Sequence, residues 1–319
     1  MDVSIIIASW NTRDILRDCL ASIYKETNGF PFEVIVVDNG STDGSAQMVK
    51  TEFPQALLIA NSENRGYAGA NNQGMAIAKG RYVLLLNSDT LMRDTTLGKM
   101  ISFADAHPEA GVMGCRVLNP DGTLQSSCFS FPCLLNMFLM ATYLQKLFPR
   151  NRFFGRERML WFDWSQTCEV DVVVGCFMLV RRDAIEQVGT MDERLFMYCE
   201  ETDWCYRLKQ AGFKILYTPC AEIIHLERGS SKQMQPEMTL QLRASTLFFF
   251  KKHRSRLSYW LACVLVSSFF LLRIPYWLAK GICCKGSRLS DFQTAKTYVV
   301  GASKALLGWR GLCYRKSGV

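Results

Sequence analysis

At 319 residues the chain is long enough for about two domains and a sizeable core. With 49% hydrophobic, 12% aromatic and 21% charged residues it is globular in composition, which excludes a disordered or collagen-like chain. The net charge of +8 is uneven: residues 247–319 hold 13 Lys and Arg against one acid, Asp291, while the first 246 carry 24 basic and 28 acidic residues. A nucleic-acid binder would spread its positive charge over the folded body. Charge gathered around the apolar segments of one end points to an anionic membrane surface instead.

The first 90 residues alternate strand and helix. Val3–Ala8 is a β-branched run fit for a strand buried on both faces. Asn11 or Thr12 can cap the next helix, whose Ile15, Leu16, Cys19, Leu20 and Ile23 share a face. Phe32–Val37 predicts a second strand, followed by the polar loop Asp38-Asn39-Gly40-Ser41-Thr42-Asp43-Gly44 and a short helix over Ala46–Thr51. Ala56–Ala60 and Tyr82–Leu86 predict two more strands around a helix over Ala68–Ala78. Such a series implies a parallel sheet with helices on both faces, and ligands bind such sheets beyond the carboxyl ends of the strands. The loops at Asp38 and Asp89 lie at those ends.

From residue 110 the pattern turns mixed. Leu118-Asn119-Pro120-Asp121-Gly122-Thr123 reads as a turn between two strands. Residues 133–148 fit an interfacial helix or a core helix equally well. Val170–Val180 predicts a strand around Gly175, Arg182–Gln187 a short helix, Glu200–Ala211 a helix and Phe213–Tyr217 a strand. Leu257–Leu272 is a run of 16 uncharged residues flanked by Lys251, Lys252, Arg254, Arg256 and Arg273, short of the roughly 20 that a span needs. Pro275 and Arg273 both oppose a continuous spanning helix, so a monotopic anchor is expected.

Several chemistries are excluded. The 13 cysteines are odd in number and form no CxxC, so reduced thiols are expected rather than zinc or disulfides. No GxGxxG, P-loop, HExxH or GxSxG occurs. The opening Met-Asp-Val-Ser-Ile-Ile-Ile lacks a basic n-region, so the catalytic part is expected in the cytosol.

The carboxylates offer another route to phosphate chemistry. Asp89 ends a buried strand, where it could ligate Mg2+ or Mn2+ or simply cap the next helix. Asp38 could accept bonds from a base or ribose, or close a turn; Asp43 reads as a helix cap. Asn64 and Gly66 open a helix with small residues that let backbone approach a ligand, although close helix–sheet packing selects them too. Glu200, Glu201 and Asp203 crowd three acids into one helical turn, where mutual repulsion would raise at least one pKa. His225 could be structural or a ligand, and Arg228 with Gly229-Ser230-Ser231 could hold phosphate oxygens.

In order, the segments Val3–Asn11, Val36–Ser45, Asn64–Gly74, Leu84–Asp89, Val174–Arg182, Met191–Trp204 and Ile224-His225 resemble family 2 glycosyltransferases of the rhamnosyltransferase-like subgroup, over about residues 1–250. The resemblance implies a GT-A fold, a Rossmann-like mixed α/β sheet over 1–246 (1–90 nucleotide-binding, 91–246 acceptor and catalytic). A basic, apolar helical tail over 247–319 would associate with the membrane. It implies that Ala8, Ser9, Trp10 and Asp38 hold the nucleoside, that Asn64 and Gly66 line the donor pocket, and that Gly229, Ser230 and Ser231 face the diphosphate. Asn87-Ser88-Asp89 stands where the family has an Asp-x-Asp motif, with Asn87 in place of the first acid; Asp89 and His225 would ligate Mg2+ or Mn2+. The family's Glu-Asp pair is here Glu200-Glu201, and its base falls on Glu201, one methylene longer than Asp, or on Glu200.

The implied activity is inverting transfer of a sugar, L-rhamnose from dTDP-rhamnose, to a hydroxyl of a lipid-linked glycan at the cytoplasmic face of the bacterial inner membrane, with no nucleic-acid partner. Alternatives are a transferase loading polyisoprenyl phosphate and a degenerate non-catalytic scaffold.

Overall fold

Strand β1 (Val3–Ser9) is buried along almost its whole length, as its unbroken β-branched run requires. It lies between β2 (Phe32–Asp38) and β4 (Tyr82–Asn87), and β3 (Leu57–Ala60) pairs with the far side of β2, all in parallel. Helices α1 (Arg13–Glu26), α2 (Ser45–Glu52) and α3 (Gly66–Ile77) make the crossovers. The computed structural model describes residues 1–226, 235–283 and 288–309.

Beyond β4 the sheet becomes mixed. Strand β5 (Thr90–Met92), helix α4 (Thr96–Ala106), β6 (Ala110–Leu118), β11 (Phe177–Arg181) and β12 (Lys214–His225) complete the order β3-β2-β1-β4-β11-β6-β12-β5. Strand β11 is antiparallel to both neighbours, and β12 is parallel to β6 but antiparallel to β5. Short strands β7 (Leu124–Gln125) and β9 (Cys168–Glu169) pair with β6 and β12. One core holds Ile5, Ile7, Val34, Val36, Leu84 and Leu86 of the sheet against Leu16, Leu20 and Ile23 of α1.

Two strands depart from their predicted form. The single strand expected over Val170–Val180 is split: β10 (Val172–Val173) pairs with β8 (Cys128–Phe129) in a separate ribbon, and only β11 joins the main sheet. The break has a local cause. Val174 N–H donates to Ser127 O, and Gly175 O accepts from the Tyr67 hydroxyl at 2.8 Å, so the backbone there is satisfied outside the ladder. Strand β12 runs on past Tyr217 because its pairing with β6 shifts register between Thr218 and Glu222. Pro219, which has no N–H to donate, sits in that irregularity. The bulge lets the strand continue to His225.

Helices α7 (Arg182–Val188) and α8 (Glu200–Gln210) finish this first compact unit, which comprises Met1–Phe131, Phe162–Phe196 and the chain from Glu200 through β12. The second unit takes Pro132–Trp161, Met197–Cys199 and the described residues from 235 onward. Compactness thus draws its boundary away from residue 246, which falls inside helix α9 (Gln235–His253). Residues 133–148 form two short helices, α5 (Leu134–Ala141) and α6 (Leu144–Leu147), separated at Tyr143 with φ 63°. Helix α5 packs on α10 (Arg256–Leu271), and α12 (Arg288–Leu306) packs on α10 and α11 (Ile274–Cys283).

Arg273 sits in the turn between α10 and α11. Its guanidinium donates to Met140 O, Ala141 O and Phe269 O at 2.9, 3.2 and 2.7 Å, and lies 3.9 and 3.7 Å from the ring centres of Tyr143 and Phe269. The charge is held by helix-end carbonyls and aromatic faces. Among the described residues every cysteine is a free thiol.

Candidate active site

Strand register brings the first group of expected residues together. Ser9 lies opposite Asp38 and Ala8 opposite Asn87, all at carboxyl ends of parallel strands. Ser9 Oγ is 2.9 Å from Thr12 Oγ1, which donates to Ser88 Oγ at 3.2 Å, a buried hydroxyl cluster joining β1 to the end of β4. Trp10 is half-buried beside it. The two readings of Asp38 divide between its two oxygens. Oδ2 closes the turn by accepting from Ser41 N–H at 3.0 Å, whereas buried Oδ1 has no partner. An acceptor left unmade in the interior is costly, so a ligand donor fits there. Asp43 braces the same loop, accepting from Arg13 N–H and Ser45 N–H at 2.8 and 3.0 Å.

The loop before α3 is held by a residue that the sequence did not single out. Asn39 donates to Gly66 O at 3.1 Å and accepts from Arg65 N–H and Asn61 Nδ2 at 3.3 and 3.2 Å. Asn64 Oδ1 accepts from Gly66 N–H at 2.9 Å. Gly66 itself is accounted for by packing: its φ is +76°, and a Cβ would lie 2.3 Å from Phe196 O.

The second group assembles across the sheet. Antiparallel pairing of β5 with β12 sets His225 opposite Thr90, next to Asp89. His225 Nε2 is 3.1 Å from Asp89 Oδ1 and 3.4 Å from Asn87 Nδ2, with Asp89 6% exposed. On its other side His225 Nδ1 meets Gln125 Oε1 at 2.8 Å. Two ligand atoms about 2.1 Å from one cation at right angles stand roughly 3 Å apart, so the Asp89–His225 spacing fits a shared divalent ion. A carbonyl on the other ring nitrogen is the usual support for a ligating imidazole. Among the described residues no cluster of three or more His, Cys, Asp or Glu could hold a metal, so ligand oxygens and water would complete the coordination. Gly229, Ser230 and Ser231 lie outside the described residues.

The three acids of α8 separate in role. Asp203 is fully buried and pairs with Arg207 at 2.9 Å, which also donates to Val188 O and Thr190 O; it fastens the helix. Glu200 is 5% exposed with Oε2 lacking a hydrogen-bond partner, whereas Glu201 keeps some exposure. Both carboxyls are raised above the ordinary 4.5. Burial is the larger cause, and the Glu201 charge adds to it at Glu200. The repulsion expected from the sequence is therefore secondary. Burial also raises the Cys176 thiol, with Asp89 and Glu201 both contributing, so this thiol lies within electrostatic reach of both acid groups. Tyr67, raised by burial and then by Glu200 and Glu201, donates its hydroxyl to Gly175 O beside them.

A stability prediction follows from Glu200. A raised folded-state pKa means that the folded chain binds this proton more tightly than the unfolded chain. That stabilisation is full below about 4.5 and is lost as pH rises through the folded value. Glu200→Gln, which cannot ionise, should therefore gain melting temperature over wild type as pH goes from about 5 to 8. For a chain of 319 residues each kcal/mol is worth roughly 1.5 °C. Thermal melts showing the same wild-type–variant difference at both pH values would refute it.

Comparison with known proteins gives the family and the fold. Residues 4–189 match the family model described as "Glycosyl transferase family 2". The chain is 30% identical over 261 residues to the N-acetylglucosaminyl-diphospho-decaprenol L-rhamnosyltransferase of Mycobacterium tuberculosis, covering 78% of this chain and 84% of that one. It is 27% identical over 234 residues to an Escherichia coli rhamnosyltransferase, covering 70% and 83%. The fold is similar to that of the Pyrobaculum calidifontis mannosyltransferase solved with GDP-Man and Mn2+, with TM-score 0.57, 18% identity, and 95% and 86% of the two chains covered. The architecture is the GT-A fold. The chain belongs to glycosyl transferase family 2 and is a rhamnosyltransferase-like glycosyltransferase of cell-surface polysaccharide synthesis.

Proposed function

We propose that this glycosyltransferase inverts the anomeric carbon as it moves L-rhamnose from dTDP-rhamnose to a hydroxyl of a lipid-linked glycan. The observation that carries the reading is the meeting of Asp89 and His225 at 3.1 Å at the carboxyl end of β4, with the raised carboxyls of Glu200 and Glu201 as the nearby acids. The L-rhamnosyl group and the diphospho-lipid acceptor are those in the name of the mycobacterial relative.

In this reading Asp38 Oδ1 accepts from the nucleoside, while Ala8, Ser9 and Trp10 form the floor beside it. Asn64 and Gly66 lie at the donor pocket. Asp89 and His225 would hold Mg2+ or Mn2+, with Asn87 and Ser88 beside them. A bound divalent cation supplies positive charge that offsets the charge gathering on the departing diphosphate. Glu201 takes the proton from the acceptor hydroxyl. The freed oxygen attacks the anomeric carbon on the face opposite the diphosphate, and that C–O bond breaks. No enzyme nucleophile is needed, unlike a retaining glycosidase. A thermal-shift screen of nucleotide sugars with Mn2+ tests the donor: dTDP-rhamnose should give the largest shift, and a larger shift from another nucleotide sugar would replace it.

The same reading puts the enzyme at the cytoplasmic face of the inner membrane as a monotopic protein. Residues Arg256–Cys283 are long and apolar enough to span, yet are interrupted at Leu272–Arg273. Along α10, Leu257, Trp260, Leu261 and Val264 are 71, 50, 44 and 51% exposed at i, i+3, i+4 and i+7, one exposed apolar stripe. Lys251, Lys252, Arg254 and Arg256 precede it, and anionic lipid adds about 1 kcal/mol for each nearby basic side chain. The double variant Leu257→Glu with Leu261→Glu should lose at least about tenfold in binding to anionic vesicles. Co-sedimentation unchanged from wild type would sink the anchor. Substitution is a cleaner test than truncation at 246, which would cut α9 in two.

A further inference from the structure

The turn Asn119–Thr123 has no part in the chemistry above, yet a continuous chain of hydrogen bonds leaves it and, through Gln125 of β7, ends at His225. Thr123 donates its hydroxyl to Asp121 Oδ1 at 2.6 Å, and its N–H to the same oxygen at 2.9 Å. Asn119 Nδ2 donates to Thr123 Oγ1 at 2.9 Å. Gln125 Nε2 donates to Asn119 Oδ1 at 3.0 Å. Gln125 Oε1 then faces His225 Nδ1 at 2.8 Å.

The direction of this chain is fixed by its first member. A carboxylate only accepts, so the Thr123 hydroxyl proton points at Asp121 and its oxygen must accept the next bond. That acceptor selects the Nδ2 end of Asn119, which leaves Oδ1 to accept from Gln125 Nε2. The remaining end of Gln125 is its carbonyl oxygen, which has no proton to offer. An imidazole facing it at 2.8 Å must supply the proton from Nδ1. The bonds to Thr123 hold the Asp121 carboxyl below the usual carboxylate range, so the chain begins at a true anion at neutral pH. The turn itself is rigid. Asn119 N–H donates to Thr123 O at 2.8 Å, Gly122 N–H donates to Asn119 O at 2.9 Å, and Gly122 has φ +80°.

We propose that this relay from Asp121 to Gln125 keeps a proton on His225 Nδ1 and so presents Nε2 beside Asp89, which makes Gln125 a positioning residue for cation binding. The inference rests on His225 being a cation ligand. Outer partners of a ligating histidine are worth about 10–100-fold in metal affinity. Asn119, Asp121 and Thr123 act only through Gln125, and Asp121 and Thr123 are exposed, so changing either leaves the core alone.

The test uses the full chain with 15N-labelled histidine, of which there are only three, and Mn2+ alone as the metal probe. In wild type His225 should show a protonated, hydrogen-bonded Nδ1 both without metal and with diamagnetic Mg2+. Gln125→Leu should lose that signal and weaken Mn2+ binding about 10–100-fold. Gln125→Glu keeps an acceptor and should retain both. Thr123→Val, at the exposed end, should give the same change in smaller degree, which covers misfolding of the first variant. An unprotonated Nδ1 in wild type, or an unchanged signal in both Gln125→Leu and Thr123→Val, overturns the relay. Loss of the Nδ1 proton with unchanged Mn2+ affinity overturns the positioning role. Absence of Mn2+ binding to wild type with the Nδ1 pattern intact overturns the metal reading instead.

Discussion

Glu201→Gln is expected to lower sugar transfer by about 10²–10⁴-fold, the usual worth of a general base, while nucleotide-sugar binding persists. The amide is nearly isosteric but cannot take a proton, and Glu201 is assigned no contact with the nucleotide, so the loss should fall on turnover. The choice of Glu201 over Glu200 rests on access. Glu200 is 5% exposed with Oε2 unpartnered in the interior, whereas Glu201 keeps the exposure that an acceptor hydroxyl needs. Burial raises both carboxyls, the direction in which a carboxylate becomes a better base. Transfer assays on both variants decide the matter. If Glu200→Gln is inactive and Glu201→Gln is not, the base is the earlier residue. If both retain full transfer, neither is the base.

Asp89→Ala and His225→Ala should each remove Mn2+-dependent nucleotide affinity, by at least the roughly 10–100-fold that the loss of a mere supporting partner costs. The effect should vanish when metal is withheld, because the two side chains are then not asked to bind anything. The pair is placed for this by strands far apart in the chain, and its 3.1 Å spacing suits one shared ion. Titrating Mn2+ at fixed dTDP by calorimetry gives the measurement. Wild-type affinity in both variants would remove the shared site from the mechanism and leave Asp89 as a turn acid between β4 and β5.

The motifs to which the chemistry is assigned were legible wherever their residues are neighbours in sequence. Strands β1 to β4 could be read from continuous β-branched runs, because a strand buried on both faces has no polar face to show. Asn87-Ser88-Asp89 and Glu200-Glu201 could be read because a strand end and a helix start are local events. Their meeting with the rest of the site could not. His225 reaches Asp89 only because β12 bulges past Pro219 and then pairs antiparallel with β5, and strand pairing over such a separation leaves no periodic trace in either segment. The same limit hid Asn39 and Gln125, whose worth lies in which distant atoms their amides face. It also hid the split of Val170–Val180, where bonds to Ser127 and Tyr67 overrode an apolar pattern that reads as one strand. Arg273 is the clearest case. By composition it interrupts a membrane segment, but in the fold it caps the end of α5 with two carbonyl bonds and the end of α10 with a third. Sequence alone determined which residues must be buried and which short motifs end the strands. The tertiary structure decided which buried and polar atoms face one another, because hydrogen-bond partners are chosen in space and not along the chain.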